Sequence, residues 1–253
     1  MSWIEERRHE VIVVRPAETP AGVTVAFSGR GRAPKGERAP TPFLARRLAA
    51  ALGLDGVAIH WPTQVHGADA VAIREETAAG AARNAGACDA LVTDRPCAAL
   101  VVQTADCVPI LLWTPRAVGA AHAGWRGTAR NVAGAAVAAL RDLGVAPEKI
   151  RVWLGPSIGP CCYEVGGEVA AQFAGEFVRA ECGSGKFRLD LRAVNVAELE
   201  AAGVPRRNVL VHPACTKCGG EKYASWRRDG ATAGRMIALI VRLTADSGEL
   251  TAT

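Results

Sequence analysis

Three polar stretches of the chain each carry one residue that binds transition metals. The stretches are Trp61-Pro-Thr-Gln-Val-His-Gly67, Gln103-Thr-Ala-Asp-Cys-Val-Pro109 and His122-Ala-Gly-Trp-Arg-Gly127. Each borders an apolar run that predicts a buried strand, so His66, Cys107 and His122 are expected at strand ends. Imidazole and thiolate are both good zinc ligands. If the strand ends meet, these three side chains would leave one coordination position open, as catalytic zinc sites do.

The same residues allow a second chemistry. Cys107 could be a nucleophile with His122 as its base, as in a Cys-His hydrolase. The carboxylate of the neighbouring Asp106 would raise the pKa of that thiol. Metal binding is therefore favoured, because a bound cation itself removes the thiol proton. Taken singly, His66 beside Gly67 is also the kind of residue that an ordinary turn contains.

The cysteines bear on the cellular compartment and on a second site. There are eight of them, and the first ten residues mix both signs of charge where an export signal would need a basic patch and an apolar core. We therefore expect a cytoplasmic protein whose thiols are all reduced. Cys161-Cys162 and Cys215-Thr-Lys-Cys218 allow a structural zinc site of four thiolates. One CxxC with an adjacent pair favours such a site only weakly.

Composition and charge exclude several classes of protein. The 253 residues are 49% hydrophobic and 22% charged, which fits neither a disordered chain nor a membrane protein. The net charge of +5 arises in residues 28–47, where Glu37 is the only acid among six basic residues. The six are Arg30, Arg32, Lys35, Arg38, Arg46 and Arg47. Aromatic residues make up only 5%, so an anionic small molecule suits this segment better than a nucleic acid, with a solvated loop as the other interpretation.

The apolar pattern predicts the elements that must position these groups. A helix is expected between Pro42 and Gly53, and strands at residues 57–61, 98–103, 108–113, 117–121, 151–154 and 209–211. Helical patterns also cover residues 129–143, 168–181, 194–202 and 234–243. Strands and helices do not alternate strictly, which predicts an α+β fold with mixed β-sheets flanked by helices. No repeat or linker divides residues 1–253, so we expect a single domain with a basic loop at about residues 28–42.

Several motifs, in one order, resemble those of a known family. They are Gln64-Val-His-Gly67, Asp89-Ala-Leu-Val-Thr-Asp94, Thr104-Ala-Asp-Cys-Val-Pro-Ile-Leu-Leu112, Ala120-Ala-His-Ala-Gly-Trp-Arg-Gly127, Gly155-Pro-Ser-Ile-Gly-Pro-Cys-Cys-Tyr-Glu-Val-Gly166 and Trp226-Arg-Arg-Asp-Gly-Ala-Thr-Ala-Gly-Arg235. The family is variously called YfiH, laccase-domain or polyphenol oxidase, and purine nucleoside phosphorylase-like proteins. The resemblance extends from Phe27 to the C-terminus. It implies a YfiH-like α+β fold and one zinc ion per chain, bound by His66, Cys107 and His122.

The resemblance also implies an activity and its partners. Family activities include phosphorolysis of adenosine, inosine, guanosine and methylthioadenosine, together with adenosine deamination. The expected partners are therefore purine nucleosides and phosphate, not nucleic acid or a membrane. A multicopper oxidase would need several histidine-rich copper sites, and the chain has only five histidines. The alternative activity is that of a zinc amidohydrolase of the peptidoglycan-editing type, acting on a cytoplasmic precursor.

Phosphorolysis requires groups beyond the metal ligands. It needs an anion site, a proton donor to the departing purine and stabilisation of a sugar with oxocarbenium character. The candidates for substrate binding are Gln64, Arg30 and, as a weaker phosphate ligand, Arg126. The candidates for proton transfer are Asp106, Asp89 and Glu164. For Asp89 and Asp106, support of a zinc-bound histidine is the favoured alternative to direct catalysis.

The chain departs from the family pattern after Phe27-Ser-Gly-Arg30. Family members usually continue with Gly-Gly, a Ser-Leu-Asn-Leu-Gly segment and an Asn-Arg pair at the next helix. Here residues 31–38 read Gly-Arg-Ala-Pro-Lys-Gly-Glu-Arg, and Leu44-Ala45 takes the place of the pair. Family members are expected to hold phosphate or substrate in this region. The candidate replacements are Arg30, Arg32, Lys35 and Arg38.

Overall fold

Strands dominate the architecture. The structure is a computed structural model that describes residues 2–31, 41–181 and 185–244. The strands in these ranges are β1 Trp3–Arg8, β2 Val11–Pro16, β3 Val23–Ser28, β4 Ala58–Thr63, β5 Ala70–Ile73, β6 Ala82–Ala87, β7 Ala90–Thr93, β8 Ala98–Thr104, β9 Val108–Trp113, β10 Val118–Ala123, β11 Arg151–Leu154, β12 Glu164–Val165, β13 Val178–Ala180, β14 Phe187–Leu189, β15 Val209–Val211 and β16 Met236–Arg242. The α-helices are α1 Thr41–Ala51, α2 Trp125–Ala129, α3 Val132–Arg141, α4 Gly167–Ala170, α5 Leu191–Ala201 and α6 Trp226–Asp229.

The strands form two large mixed sheets and one small sheet. The larger has seven strands in the order β1-β2-β3-β16-β8-β4-β6 and is parallel only where β8, β4 and β6 pair. The other has six strands in the order β15-β11-β9-β10-β7-β5, with a parallel pair at each end. The small sheet, β12-β14-β13, is antiparallel. The expected α+β fold with mixed β-sheets flanked by helices is therefore confirmed.

The two large sheets pack face to face between two layers of helix. Side chains from their inner faces, including Phe27 and Leu111, form a central hydrophobic core. Helix α1 covers the outer face of the seven-stranded sheet, where Leu48 and Leu239 belong to a second core. Helices α3 and α5 complete the third core, on the outer face of the six-stranded sheet. Successive side chains of β16 alternate between the cores, since Leu239 points toward α1 while Ile240 belongs to the central core.

Two expected helices are wrong. Residues 236–242 form strand β16, which pairs with β3 on one side and β8 on the other. A short apolar run buried on both faces has no periodicity that separates strand from helix, and its two isoleucines and one valine suit a strand. Residues 168–181 contain only the single turn of α4, a 3-10 turn at Gly175–Phe177 and β13. Gly175 interrupts the helical pattern there, because glycine is a poor residue inside a helix.

Some expected strand bounds are confirmed, and part of the expected basic loop falls outside the described residues. Strands β9, β11 and β15 have the predicted bounds. None of the helices in the described ranges is long and apolar enough to cross a membrane. The seven cysteines within those ranges are free thiols, and Cys182 lies outside them. Arg32, Lys35 and Arg38 of the expected basic loop lie outside the described residues as well.

One carboxyl group in α5 is buried without compensation. The Oε2 atom of Glu198 is inaccessible to solvent and has no hydrogen-bond partner among the described residues. Burial raises the pKa of this carboxyl to about 8, because the charged form is poorly solvated there. The folded protein therefore keeps a proton on Glu198 over a pH range in which the unfolded chain has released it. The free energy of unfolding contributed by this group falls as the pH rises toward 8.

We predict that Glu198→Gln stabilises the protein at alkaline pH. The amide cannot ionise, so the decline in stability between pH 5 and pH 8 should become shallower, and the variant should exceed the parent at pH 9. Urea denaturation at pH 5, 7 and 9 measures both effects. Glu200→Gln is the matched control, because Glu200 is exposed on the same helix. Parallel stability curves for the parent and Glu198→Gln would contradict the prediction.

Candidate metal site and cavity

The fold brings the three predicted metal ligands together. His66 lies in the loop after β4, Cys107 lies between β8 and β9, and His122 lies near the end of β10. The ligand atoms of these three side chains are all within 4.8 Å of one another. β4 and β8 are neighbours in the seven-stranded sheet, whereas β10 belongs to the six-stranded sheet. The cluster is therefore built where strand ends of both sheets meet.

A buried carboxylate orients two of the ligands. Asp89 has no exposed surface, and its Oδ1 lies 2.8 Å from Nδ1 of His122. Asp89 also accepts hydrogen bonds from the backbone N–H groups of Val65, His66 and Gly67, at 3.0, 3.1 and 2.7 Å. With Nδ1 of His122 bonded to the carboxylate, its Nε2 is left for a metal, as in the carboxylate-histidine pairs of zinc proteins. These amides and the imidazole together compensate the buried charge of Asp89.

Local backbone conformation also shapes the cluster. His66 and Asp106 have φ values of +59° and +91°, a left-handed region that residues with a side chain rarely adopt. Such strain persists where surrounding bonds impose it, and it concentrates at functional sites. A side chain at Gly124 would place its Cβ 3.0 Å from Cδ2 of His66 and 3.1 Å from Sγ of Cys107. Glycine at this position therefore lets the backbone after His122 approach both His66 and Cys107.

The electrostatics of the cluster favour a thiolate. Burial raises the pKa of Cys107, but the charge of His122 and hydrogen bonds from His122 and His66 outweigh burial and lower that pKa to about 6. Burial lowers the pKa of His122, but the charge of Cys107 and the hydrogen bond to Asp89 raise it to about 9. Both pKa shifts favour the pair of a thiolate and an imidazolium over the pair of neutral side chains. The expected upward effect of Asp106 on the pKa of the thiol does not dominate, since the net pKa is lowered, and both oxygens of Asp106 accept hydrogen bonds, from the Thr216 hydroxyl and the Arg227 backbone N–H.

The cluster lines a cavity of about 520 Å³. Two of the residues predicted to bind substrate, Gln64 and Arg126, line it too. Both ends of the Gln64 amide are bonded to the backbone of Gln103, at 2.9 and 2.8 Å, which fixes this wall. The Arg126 guanidinium lies 4.3 Å from the ring of Trp125. Among the described lining residues, Asp106 is the only one with a carboxylate.

Three other predicted residues do not line this cavity. Arg30 forms an ion pair with Asp229 at 3.4 Å and borders a separate surface pocket. Glu164 forms an ion pair with Lys186 at 2.5 Å and also borders a different pocket. Asp89 lies behind His122, out of contact with the cavity. Its geometry favours the orienting role over direct proton transfer.

Sequence reasoning assigned no role to four further lining residues. Tyr163, Trp226, Arg227 and Arg235 all lie in motifs that carry the family resemblance. Arg235 is almost fully buried, and its Nη1 donates to the carbonyl groups of Ala233 and Gly234. The signal available in the sequence was the cluster of arginines in the last motif. Nothing local showed that this segment, over 100 residues beyond Cys107, returns to the same cavity.

Fold and site together define a mixed α/β protein with a His/Cys/His metal-binding cluster in an arginine-lined cavity. The chain belongs to the family described as multi-copper polyphenol oxidoreductase laccase, whose family model matches residues 44–243. The resemblance seen in the motifs is therefore confirmed.

Named relatives and solved structures extend this comparison. Purine nucleoside phosphorylase YlmD of Geobacillus stearothermophilus is 39% identical over 192 residues, which are 71% of this chain and 70% of that protein. Adenosine deaminase RL5, from an unknown prokaryotic organism, is 37% identical over 207 residues, 77% of this chain and 79% of that protein. The crystal structure of YlmD from G. stearothermophilus matches with a TM-score of 0.81 at 33% identity, covering 96% of this chain and 100% of that one. The Bacillus licheniformis hypothetical protein YfiH matches with a TM-score of 0.75 at 27% identity, covering 92% and 96%.

We predict that His122 sets the reactivity of Cys107. In chelator-treated protein, alkylation of Cys107 by iodoacetamide should rise with a midpoint near pH 6. His122→Ala should move that midpoint upward, toward the ordinary thiol value of about 8.5, because the stabilising imidazolium is gone. Mass spectrometry of the peptide that contains Cys107 measures the rate at each pH, with Cys97 as an internal control outside the site. An unchanged midpoint in His122→Ala would mean that the two side chains do not interact.

Proposed function

We propose that this protein is a zinc-dependent purine nucleoside phosphorylase that acts on adenosine, inosine, guanosine and methylthioadenosine, and that it also deaminates adenosine. The observation that carries the proposal is a single cavity of about 520 Å³ lined both by the His/Cys/His cluster and by three arginines. Pockets of about 300 to 1,000 Å³ hold small-molecule ligands. Relatives named purine nucleoside phosphorylase and adenosine deaminase, at 39% and 37% identity, support the same substrate class.

The donor set suits one zinc ion held by His66, Cys107 and His122. Two imidazoles and one thiolate are borderline and soft ligands that zinc prefers, and three protein ligands leave one position open. When bound there, zinc supplies a Lewis acid within the cavity. His60 and His212 do not belong to this cluster, so the described residues offer no second histidine site for copper. The sequence expectation of a reducing compartment, the cytoplasm, is part of this proposal.

The His66 side chain separates metal binding from the Cys-His hydrolase alternative. A nucleophile-base dyad would use Cys107 and His122 and would give His66 no task. Yet the ligand atom of His66 lies within 4.8 Å of those of Cys107 and His122, and its ring lies 4.9 Å from that of His122, measured between centroids. Three convergent donors are what a metal site needs.

Residues of the chain itself supply the remaining requirements of phosphorolysis. Arg235, held by two backbone carbonyls, and Arg126, stacked on Trp125, present fixed cations to a phosphate. We assign proton transfer to or from the purine to Asp106, the only carboxylate among the described lining residues, and the positioning of His122 to Asp89. Trp226 is 52% exposed at the cavity and offers an aromatic face to a purine base.

Adenosine deamination would use the same cavity with water in place of phosphate. Water oxygen adds to C6 of the purine and ammonia leaves, so a group that transfers a proton must lie beside the open metal position. Asp106 is our candidate for this role, because it is the only carboxylate among the described residues that line the cavity. A zinc amidohydrolase acting on a cytoplasmic peptidoglycan precursor is the alternative function. An amidohydrolase would use the same metal site but would not need arginines that bind phosphate.

We predict that zinc at this site depends on Cys107 and His122. Cys107→Ser and His122→Ala should each lose one equivalent of zinc per chain and the catalytic activity. Both variants should still fold, because the three hydrophobic cores contain none of the ligands. His122→Ala should be less stable than Cys107→Ser, because it leaves the buried Asp89 without its imidazole partner. Elemental analysis of purified protein gives the stoichiometry, and circular dichroism checks the fold. Cys97→Ser is the matched control, since it also replaces a partly buried thiol. If either site variant kept the zinc content of the parent, the ligand assignment would be wrong.

We predict that release of purine from inosine requires inorganic phosphate and yields a pentose 1-phosphate. Arg235→Lys and Arg126→Lys should raise the KM for phosphate by about tenfold each, since lysine keeps the charge but loses a charge-assisted hydrogen bond worth about 1.5 kcal/mol. The KM for inosine should change less. Steady-state assays at varied phosphate and fixed inosine measure the effect.

Arg30→Lys serves as the comparison in these assays, because Arg30 was the first candidate from the sequence and lies in another pocket. A larger rise in phosphate KM for Arg30→Lys than for Arg235→Lys would return phosphate binding to Arg30. Purine release that is equally fast without phosphate would reject phosphorolysis and favour the amidohydrolase.

A further inference from the structure

A second sulfur cluster lies outside the cavity. Cys161 and Cys162 occupy the loop after β11, and Cys215 and Cys218 occupy the loop after β15. The four Sγ atoms all lie within 4.8 Å of one another. Cys218 Sγ lies 3.5 Å from the Sγ atoms of both Cys161 and Cys162. Four thiols converge although the two pairs are separated by more than 50 residues of chain.

The spacing of the sulfurs suits one tetrahedral ion. Four sulfurs about 2.3 Å from a zinc ion are about 3.8 Å apart along each edge of the tetrahedron. Two of the sulfur separations are 3.5 Å and all are within 4.8 Å, so the four atoms can surround one ion with small adjustments. A disulfide would require one pair at about 2.05 Å and would leave two thiols unused. A multi-iron cluster would hold its cysteine sulfurs farther apart than a single ion does.

The surroundings compensate the charge that such a site would carry. A zinc ion with four thiolates has a net charge of −2. Arg192 is buried beside the cluster, and Cys161, Cys215 and Cys218 all interact electrostatically with its guanidinium. Its hydrogen bonds go to neutral oxygens, those of Ser157 and the carbonyl groups of residues 212 to 214. The guanidinium thus fixes the two loops through its hydrogen bonds and keeps its positive charge next to the sulfurs.

The backbone at Gly159 lies close to cysteines of both loops. A Cβ at Gly159 would lie 3.2 Å from Cβ of Cys215 and 3.4 Å from Sγ of Cys161. Glycine there lets the two loops approach closely.

We infer that Cys161, Cys162, Cys215 and Cys218 bind one structural zinc ion, separate from the ion proposed at His66, Cys107 and His122. All four coordination positions are filled by protein sulfur, so the ion has no open position and serves to hold the loops together. This inference does not depend on the proposed function, because none of the four cysteines lines the cavity.

The ion would connect the loops after β11 and β15, both of which support the lining of the cavity. The loop after β11 leads to Tyr163, which lines the cavity. The loop after β15 contains Thr216, whose hydroxyl donates to Asp106 at 2.6 Å. A β-bridge between Ser157 and Cys215 already pairs the loops. Four zinc–sulfur bonds would link the two loops on the side of these contacts that faces away from the cavity.

The test is metal analysis of the purified full-length chain. The parent should contain two zinc ions per chain. Cys218→Ser and Cys161→Ser should each contain one, and Cys97→Ser should contain two. Replacement of zinc by cobalt should give the intense visible absorption of tetrahedral thiolate cobalt, and Cys218→Ser should lose it while the bands of the His/Cys/His site persist.

A second measurement covers a cluster variant that does not fold. Cys107→Ser leaves the sulfur cluster intact and should retain one zinc ion. A single zinc ion in the parent that disappears in Cys107→Ser would reject the second site and leave the first one standing. Iron in place of zinc would reject the zinc assignment. A disulfide between the two loops in freshly prepared native protein, found by mass spectrometry, would show a redox pair instead of a metal site.

Discussion

The bonds made by the buried carboxylate of Asp89 are the interaction on which the site depends. Asp89 lies just before β7 of the six-stranded sheet and binds His122 of the neighbouring strand. It also accepts hydrogen bonds from three backbone N–H groups of the loop after β4, a strand of the seven-stranded sheet. One side chain thus connects both sheets and sets the positions of His66 and His122. Removal of one partner from a buried charged pair typically costs about 3 to 5 kcal/mol, so this network is both a structural and a functional constraint.

The cavity has a metal-binding cluster in one part of its lining and positively charged side chains in the rest. The His/Cys/His cluster offers soft and borderline ligands to a metal, whereas Arg126, Arg227 and Arg235 surround the remaining volume with positive charge. Asp106 is the only carboxylate among the described lining residues, so the cavity as a whole favours an anionic ligand. Under the proposed function, phosphate and water would be alternative co-substrates in this cavity. This gives a physical reason why relatives of similar sequence carry the names of a phosphorylase and a deaminase.

The proposed sulfur site and the cavity share the same two loops. The carboxylate of Asp106 accepts a hydrogen bond from the hydroxyl of Thr216, which lies between Cys215 and Cys218. Its backbone carbonyl accepts one from the N–H of Ile158, in the loop before Cys161. The two sets of metal ligands suit different roles. A mixed set of three ligands keeps a position for substrate, whereas four thiolates saturate an ion and leave it a structural role. A metal behind the loops would thus hold Asp106 in its strained conformation without taking part in the reaction.

The sequence by itself determined the local features. The three candidate metal ligands were selected because they border apolar runs and lie in motifs that resemble the family, and strands such as β9 and β11 were predicted because each depends on a few adjacent residues. The strand character of β16 was decided only by tertiary structure, since its apolar run fits either a helix or the centre of a sheet. Only the folded chain brings Arg235 into the cavity and turns Arg30 toward Asp229. Contacts between residues far apart in the chain follow from how the two sheets pack, and no local pattern encodes that packing.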